Sequence, residues 1–237
     1  MKSTLIIIPS HNCTLKFFKV INELRNNKIN NDILIVDDKS NYHSKLIIKK
    51  IKKKFKNINV LKNYKNLGQG GSIKEGIKKF KHKYNYICTM DDDGQHHVKD
   101  VKKILKISNN FDLNKCIIFG VRELNFSKTP IKSYIGNKLS SIIYNIFTKN
   151  KLYDTQTGLR FYSMHFGTKF LKIKANGFDF HNVMNFFIYK KKLKIIQIPI
   201  KTIYFKKNKQ SRFRGFKDTA KILNSIRRFY VSLLFSN

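Results

Sequence analysis

Three adjacent carboxylates, Asp91-Asp92-Asp93, are followed by Gly94-Gln95-His96 and preceded by the apolar run Tyr84-Asn85-Tyr86-Ile87-Cys88-Thr89-Met90. The chain has 14 acidic residues against 49 Lys and Arg, so a triple acid at one point is conspicuous. Neighbouring carboxylates repel each other unless a proton or a cation neutralises them. A hard divalent cation such as Mg²⁺ or Mn²⁺ prefers carboxylate oxygens and is the natural neutraliser. In extended geometry Asp91 and Asp93 share one side and Asp92 faces the other. An Asp-x-Asp pair of this kind can hold one metal, which can in turn hold a phosphate-bearing substrate.

Other polar groups recur at similar points along the chain. Ser10-His11-Asn12 follows the apolar run at residues 4–8, and Asp37-Asp38-Lys39-Ser40 follows the run at 32–36. Alone, Asp37-Asp38 reads as a turn, since Asp favours turns. Beside Asp91 to Asp93 at another strand end, it points to a shared ligand site. Residues 66–72, Asn-Leu-Gly-Gln-Gly-Gly-Ser, form a flexible turn entering a helix, whose backbone amides suit an anion. The turn lacks the Lys-Ser/Thr ending of an NTPase phosphate loop. His96 and His97 read as solvated loop residues. Arg122 closes the run 116–121 and reads as a phosphate clamp.

These groups need a frame. Apolar runs at 4–8, 32–36, 58–61, 84–90 and 116–121 alternate with helical spacing at 15–24, 44–55, 70–80 and 101–108. Such alternation predicts a parallel α/β sheet, which binds ligands at the carboxyl ends of its strands. The second half is less regular. It predicts helices over 131–147, 181–191 and 217–235, a polar loop over 153–162, a strand or strand pair over 194–205, and a basic loop over 206–215.

At 237 residues and 41% hydrophobic composition, the chain can bury a sizeable core. No apolar run approaches the ~20 residues of a membrane-spanning helix. The apolar stretch at the start is too short for a signal peptide and reads as a first strand in a cytosolic protein. Cys13, Cys88 and Cys116 lack metal-ligand spacing and read as reduced thiols. The formal charge of +35 suggests nucleic acid, but the excess is almost all lysine. Only seven arginines occur, whereas base and phosphate recognition favours the Arg fork. A nucleic-acid partner is not expected. Attraction to an anionic membrane surface is.

The ordered motifs resemble family 2 glycosyltransferases with a GT-A fold, in particular the polyprenyl-phosphate branch that includes dolichyl-phosphate mannose and glucose synthases. The matching stretches are Ile8-Pro9-Ser10-His11-Asn12, Val36-Asp37-Asp38-Lys39-Ser40, Asn66-Leu67-Gly68-Gln69-Gly70 and Asp91-Asp92-Asp93-Gly94-Gln95-His96. They continue through Gly120-Val121-Arg122, Gly136-Asn137, Asp154-Thr155-Gln156-Thr157-Gly158-Leu159-Arg160, Ile198-Pro199-Ile200, and Ser211-Arg212-Phe213 with Asp218. Each motif alone is weak; the ordered set is specific and covers nearly the whole chain.

The resemblance implies a GT-A domain over residues 1–215, a mostly parallel sheet flanked by helices. From its residues, the 216–237 segment reads as a C-terminal amphipathic helix that either packs on the core or lies at a membrane interface, with Arg227 and Arg228 at the headgroups. The resemblance also implies an enzyme that uses Mg²⁺ or Mn²⁺ to move a sugar, with inversion, from a GDP- or UDP-linked donor to a polyprenyl phosphate. A glycan hydroxyl acceptor is the alternative, and a non-catalytic basic nucleic-acid- or membrane-binding protein is the rival of another class. Pro9, Asn12, Asp37, Asp38, Gly68, Gly70, Asp92 and Arg212 would line the donor pocket. Asp91, Asp93 and Gln95 would hold the metal. Arg122, Lys132, Asp154 and Arg160 would face the acceptor. A hydroxyl acceptor would require a base, with Asp179 or Asp154 as candidates. The implied location is the cytoplasmic face of a membrane. The chain departs from the family pattern at Cys13 and His181, where Glu is usual, at His97, where Pro is common, and at Lys132 and Tyr134, in a region where Arg is frequent.

Overall fold

The computed structural model describes residues 3–123, 131–201, 224 and 227, with only the backbone at 131–133. The first five strands are β1 (Thr4–Ser10), β2 (Asp32–Asp37), β3 (Ile58–Lys62), β4 (Tyr86–Thr89) and β5 (Cys116–Arg122). The helices among them are α1 (Leu15–Asn26), α2 (Tyr42–Lys54), α3 (Gly68–Phe80) and α4 (Val98–Ile107). Then follow α5 (Ile131–Thr148), β6 (Arg160–Ser163), α6 (Met164–Phe170), α7 (Asp179–Lys190) and β7 (Lys194–Ile200).

The strands form one sheet in the order β3-β2-β1-β4-β6-β5-β7. All pair in parallel except β6, which is antiparallel to β4 and to β5. The alternation of apolar residues sets the two faces. Leu5 and Ile7 join Leu34, Ile73, Ile77 and Phe180 in one core, on the side of α3 and α7. Ile6 and Ile8 join Phe17, Ile21, Leu24, Ile33, Ile35 and Ile51 in the other, on the side of α1 and α2. Leu5 through Ile8 have no solvent exposure at all. A strand covered on both faces reads as a continuous apolar run for this reason. Burying each such side chain contributes roughly 1.5–3 kcal/mol.

Local caps fix where the helices begin. Thr14 accepts from Lys16 N to open α1, Asn41 from Ser44 N to open α2, and Ser163 from Phe166 N to open α6. Arg25, at the end of α1, donates to the carbonyls of Ile29, Asn31, Lys56 and Asn57. It ties the turn before β2 to the turn before β3, which explains an arginine among so many lysines.

Two sequence expectations need correction. The polar segment at 153–162 is a loop only as far as Leu159. Arg160 to Ser163 form β6, a central strand with every residue buried. Its polar composition concealed it, because Arg160 and Ser163 find partners inside the protein. The fourth strand ends at Thr89, so Asp91 to Gly94 lie in a loop and not on strand positions. The short helix α6 was not expected. The strand expected over 194–205 is described to Ile200. The expected 217–235 helix, and with it the 216–237 segment, lies outside the described residues except for Asn224 and Arg227.

Candidate active site

The strand order puts the carboxyl ends of β2, β1 and β4 side by side, so the three polar clusters meet. Ser10 Oγ donates to Asp92 Oδ2 at 2.7 Å. The Asp38 amide donates to Ser10 O at 2.8 Å. Asp38 is buried, and its carboxylate accepts from Asn63 Nδ2, Leu67 N and Gly68 N, each at 2.8 Å. Asp37 accepts from Ser40 N at 2.9 Å. Asn12, in the left-handed region with φ 53°, donates its amide to Ser40 Oγ and accepts from Asn41 N. Pro9 is half-buried one residue before Ser10. The loops after β1, β2 and β3 thus meet in a single wall around Asn12, Asp37 and Asp38.

The glycines on this wall are close to protein. Gly68 has φ +77°, and a Cβ there would lie 2.8 Å from Asn176 O. A Cβ at Gly70 would lie 2.3 Å from Phe180 Cβ. The close approach that Gly68 and Gly70 allow is to the 176–180 turn, where Gly71 N also donates to Asn176 O. That turn opens α7. Asp179 sits in its first turn, half-buried, and accepts from Gly177 N at 3.0 Å.

The acidic loop divides its three carboxylates. Asp92 turns inward to Ser10 and is buried. Asp91 accepts from Gln69 Nε2 at 2.6 Å and from His96 Nε2 at 3.0 Å. A Cβ at Gly158 would lie 2.4 Å from Asp91 Oδ1, so only glycine fits there. Asp93 faces solvent and accepts from Gln95 N at 2.9 Å. Burial alone would raise the Asp91 pKa, but the hydrogen bond and charge of His96 outweigh it and hold Asp91 below its ordinary value. Desolvation, and then the charge of Asp91, hold Asp93 above its own. Since Asp93 is exposed, the Asp91 charge is the cause that bears on binding. His96 is buried against Asp91, which corrects its reading as a solvated loop residue. Gln69 and His96 were not legible as Asp91 partners, because 22 and 5 residues separate them from it in the chain.

Across β5, Arg122 donates to Asp154 through Nε (2.6 Å) and Nη2 (2.9 Å), and its amide adds a third bond. Asn137 Nδ2 from α5 donates to the same carboxylate at 2.8 Å. Asp154 is fully buried, which by itself would raise its pKa. The charge and hydrogen bonds of Arg122, with Asn137, instead bring it down to about 2. The Arg122 side chain keeps 20% exposure at the surface.

Arg160 has none. Its guanidinium donates to Thr157 O, Thr155 O and Asn185 Oδ1, and lies 4.1 Å above the Phe119 ring centre. Burial pulls its pKa down to about 9, against the charge of Asp154. Asp154 and Arg160 therefore act within the fold to fix the 154–160 loop, and only Arg122 of these three presents a side chain to solvent. This corrects the expectation that all three face the acceptor directly. The Lys132 side chain and Arg212 lie outside what is described.

Among the described residues, no cluster of three or more His, Cys, Asp or Glu side chains is arranged to hold a metal ion. The donor set does suit a hard cation held jointly by protein and ligand. Asp91 and Asp93 repel each other at the mouth of the site, and each carboxylate oxygen has a second lone pair beyond its present hydrogen bond. Gln95, half-buried in the same loop, adds an amide oxygen.

Fold and site define a GT-A glycosyltransferase. Over 98% of the chain, the fold matches mannosyl-3-phosphoglycerate synthase from Rubrobacter xylanophilus, with TM-score 0.72, 12% identity and 74% of that chain covered. It likewise matches glucosyl-3-phosphoglycerate synthase from Mycobacterium tuberculosis in complex with Mn²⁺, UDP-glucose and phosphoglyceric acid. There the TM-score is 0.70 and the identity 9%, over 96% of this chain and 79% of that one. At such identities the likeness is one of fold. The model of glycosyl transferase family 2 matches residues 5–172, and the chain belongs to this family. It is 30% identical over 218 residues to UDP-N-acetylglucosamine–dolichyl-phosphate N-acetylglucosaminyltransferase of Methanococcus voltae, covering 84% of this chain and 85% of the relative. An uncharacterized protein of Methanocaldococcus jannaschii is 30% identical over 207 residues, covering 84% and 87%.

Proposed function

We propose that this glycosyltransferase moves a sugar, with inversion at the anomeric carbon, from a UDP-linked donor to a polyprenyl phosphate. The observation that carries the donor half is the Asp91 carboxylate, held by Gln69 and His96 beside an exposed Asp93. Asp91 and Asp93, with Gln95, would hold Mg²⁺ or Mn²⁺, which when bound neutralises the charge developing on the leaving diphosphate. Asp37, Asp38 and Asn12 form the adjoining wall for the nucleoside. Arg122, anchored by Asp154, presents its guanidinium edge to an anionic acceptor. A phosphate oxygen is already ionised at neutral pH, so the acceptor needs orientation and charge more than a general base. The dolichyl-phosphate enzyme among the relatives supports this reading.

A lipid acceptor calls for a site near a membrane surface, and α5 supplies one. Its inner face sends Asn137 to Asp154. Its outer face exposes Ile135, Leu139, Ile142, Ile146 and Phe147, a stripe at helical spacing beside exposed Lys138. No described helix is long and apolar enough to cross a membrane. The proposal is a peripheral enzyme whose α5 rests on the anionic cytoplasmic leaflet.

The test is transfer of radiolabelled sugar from a panel of UDP- and GDP-sugars to polyprenyl phosphate, with and without Mn²⁺. Label extracted into the organic phase only with metal is the expected result. Label that stays aqueous, or that moves instead to a saccharide, counts against the lipid acceptor. D91N and D93N should each abolish transfer, and full activity in either sinks the metal assignment.

A further inference from the structure

Around the 154–160 loop, several buried polar atoms have no hydrogen-bond partner among the described residues: Gln156 Nε2, Tyr162 Oη, Asn182 Nδ2 and both ring nitrogens of His181. A buried polar group left unpaired is destabilising and calls for an explanation, such as a ligand atom that completes it. His181, Asn182 and Gln156 lie on two segments that hydrogen bonds tie together. Asn182 Oδ1 accepts from Ser140 Oγ at 2.6 Å, and Ser140 Oγ accepts from Thr155 Oγ1 at 2.9 Å, one residue from Gln156. Arg160 clamps both segments, donating to His181 O and to Thr155 O.

His181 is 3% exposed. The charges that act on its ring are those of Arg160, Asp91, Asp154 and Arg122. The His181 carbonyl accepts from Arg160 Nη1 at 3.4 Å, which sets the residue against the 154–160 loop that carries Asp154. Burial, reinforced by Arg160, pushes its pKa down to about 3, so the ring is neutral. A neutral imidazole offers one donor and one acceptor. As a base it is far too weak to take a proton from a hydroxyl near neutral pH. As a donor it suits an oxygen that is already ionised.

We propose that His181 is a specificity residue of the acceptor subsite, its imidazole N–H donating a hydrogen bond to an anionic oxygen of the acceptor's phosphate. The amides of Asn182 and Gln156 supply further donors from the same two segments. An ionised glutamate at this position would offer only acceptor atoms to the phosphate oxygen and could not replace the imidazole N–H. The inference rests on the phosphate-acceptor reading above and sharpens it, since it names the residue that selects phosphate over hydroxyl.

Steady-state transfer to polyprenyl phosphate tests it in H181L, H181Q and H181E, with melting temperature and donor KM as controls. In H181L the acceptor KM should rise roughly 10- to 100-fold, the range for a hydrogen bond to a charged group. Donor KM should stay within about twofold, and the melting temperature should hold or rise, because an unpaired imidazole leaves the core. H181Q, whose amide can donate, should fall between H181L and wild type. H181E should be the weakest. An acceptor KM in folded H181L within about threefold of wild type overturns the proposal, since a packing role alone moves stability and not acceptor affinity. Should H181L fail to fold, the size-matched pair decides: an acceptor KM ratio of H181E to H181Q near one overturns it, and a ratio above about tenfold supports it. If the wild-type enzyme transfers sugar only to a saccharide, the phosphate acceptor itself is refuted before any variant is compared. A wild type active on polyprenyl phosphate with flat variants refutes His181 alone.

Discussion

The Arg122–Asp154 pair makes a quantitative prediction for D154N. The substitution preserves shape, removes the charge and turns one amide face toward a guanidinium. Asp154 is fully buried and Arg122 retains only 20% exposure, so little solvent screens the loss. Neutralising one partner of such a pair costs roughly 3–5 kcal/mol, because the other charge is left uncompensated. The titration of Asp154 gives a smaller figure. A carboxyl brought from 3.8 to about 2 contributes roughly 2 kcal/mol at neutral pH. The two differ for a physical reason: a protonated carboxyl can still hydrogen-bond with Arg122 and Asn137, whereas the amide sets a donor against a donor. At about 3 kcal/mol, melting should fall by roughly 6–12 °C for a domain of this size. Because the folded pKa is depressed, the contribution is complete above the unfolded value near 4 and is lost as pH falls through about 2. The gap between wild type and D154N should therefore narrow by roughly 2 kcal/mol between those limits, and the remainder, which comes from the misplaced amide donor, should persist below them. The assays are thermal and urea melts of both proteins at pH 7 and along an acid series. D154N melting within about 2 °C of wild type at pH 7 would refute the argument. The double replacement R122M with D154L should recover part of the stability while leaving acceptor affinity impaired.

Three further outcomes follow from close contacts and from α5. In G158A the new Cβ would meet the Asp91 carboxylate at 2.4 Å. Displacing that group by about an ångström should lower turnover ~100-fold with little change in melting, and activity within twofold of wild type would count against Asp91 as the positioned donor. In G70A the Cβ would meet Phe180 Cβ at 2.3 Å. That overpacking should cost roughly 1–3 kcal/mol in a urea melt, and a neutral result would mean that α7 shifts freely against α3. Replacing both Ile142 and Ile146 by Ser should weaken sedimentation with anionic vesicles at least tenfold, from roughly 1.5–3 kcal/mol per apolar side chain. Unchanged sedimentation would remove α5 from the membrane contact.

Much of the donor side was legible in the chain because it is built from short, local signals. Apolar runs of strand length, each ending in polar residues, predicted β1, β2, β4 and β5 and the convergence of their ends, and a parallel sheet realises this by topology alone. The acceptor side was not legible in the same way. β6 carries Arg160 and Ser163 in a fully buried strand, and polarity conceals burial when partners arrive from elsewhere in the fold. Asn185 and Thr155 reach Arg160 from other segments, and Asn137 reaches Asp154 from α5.

By itself the sequence determined the fold class, the family and the acidic loop, since spacing and residue type are local properties. It also marked Arg122, Asp154 and Arg160 as a set. Only the tertiary structure decided what each does. Asp91 is oriented by Gln69 and His96, Asp92 is bound to Ser10, and Gly70 makes room for Phe180. Arg160 is sealed inside the protein, while Arg122 reaches the surface on the buried Asp154. His181 is buried next to the Arg160 clamp, and neither ring nitrogen has a partner among the described residues. These roles depend on which distant side chains share a neighbourhood, and packing brings those neighbours together from segments that no periodicity links.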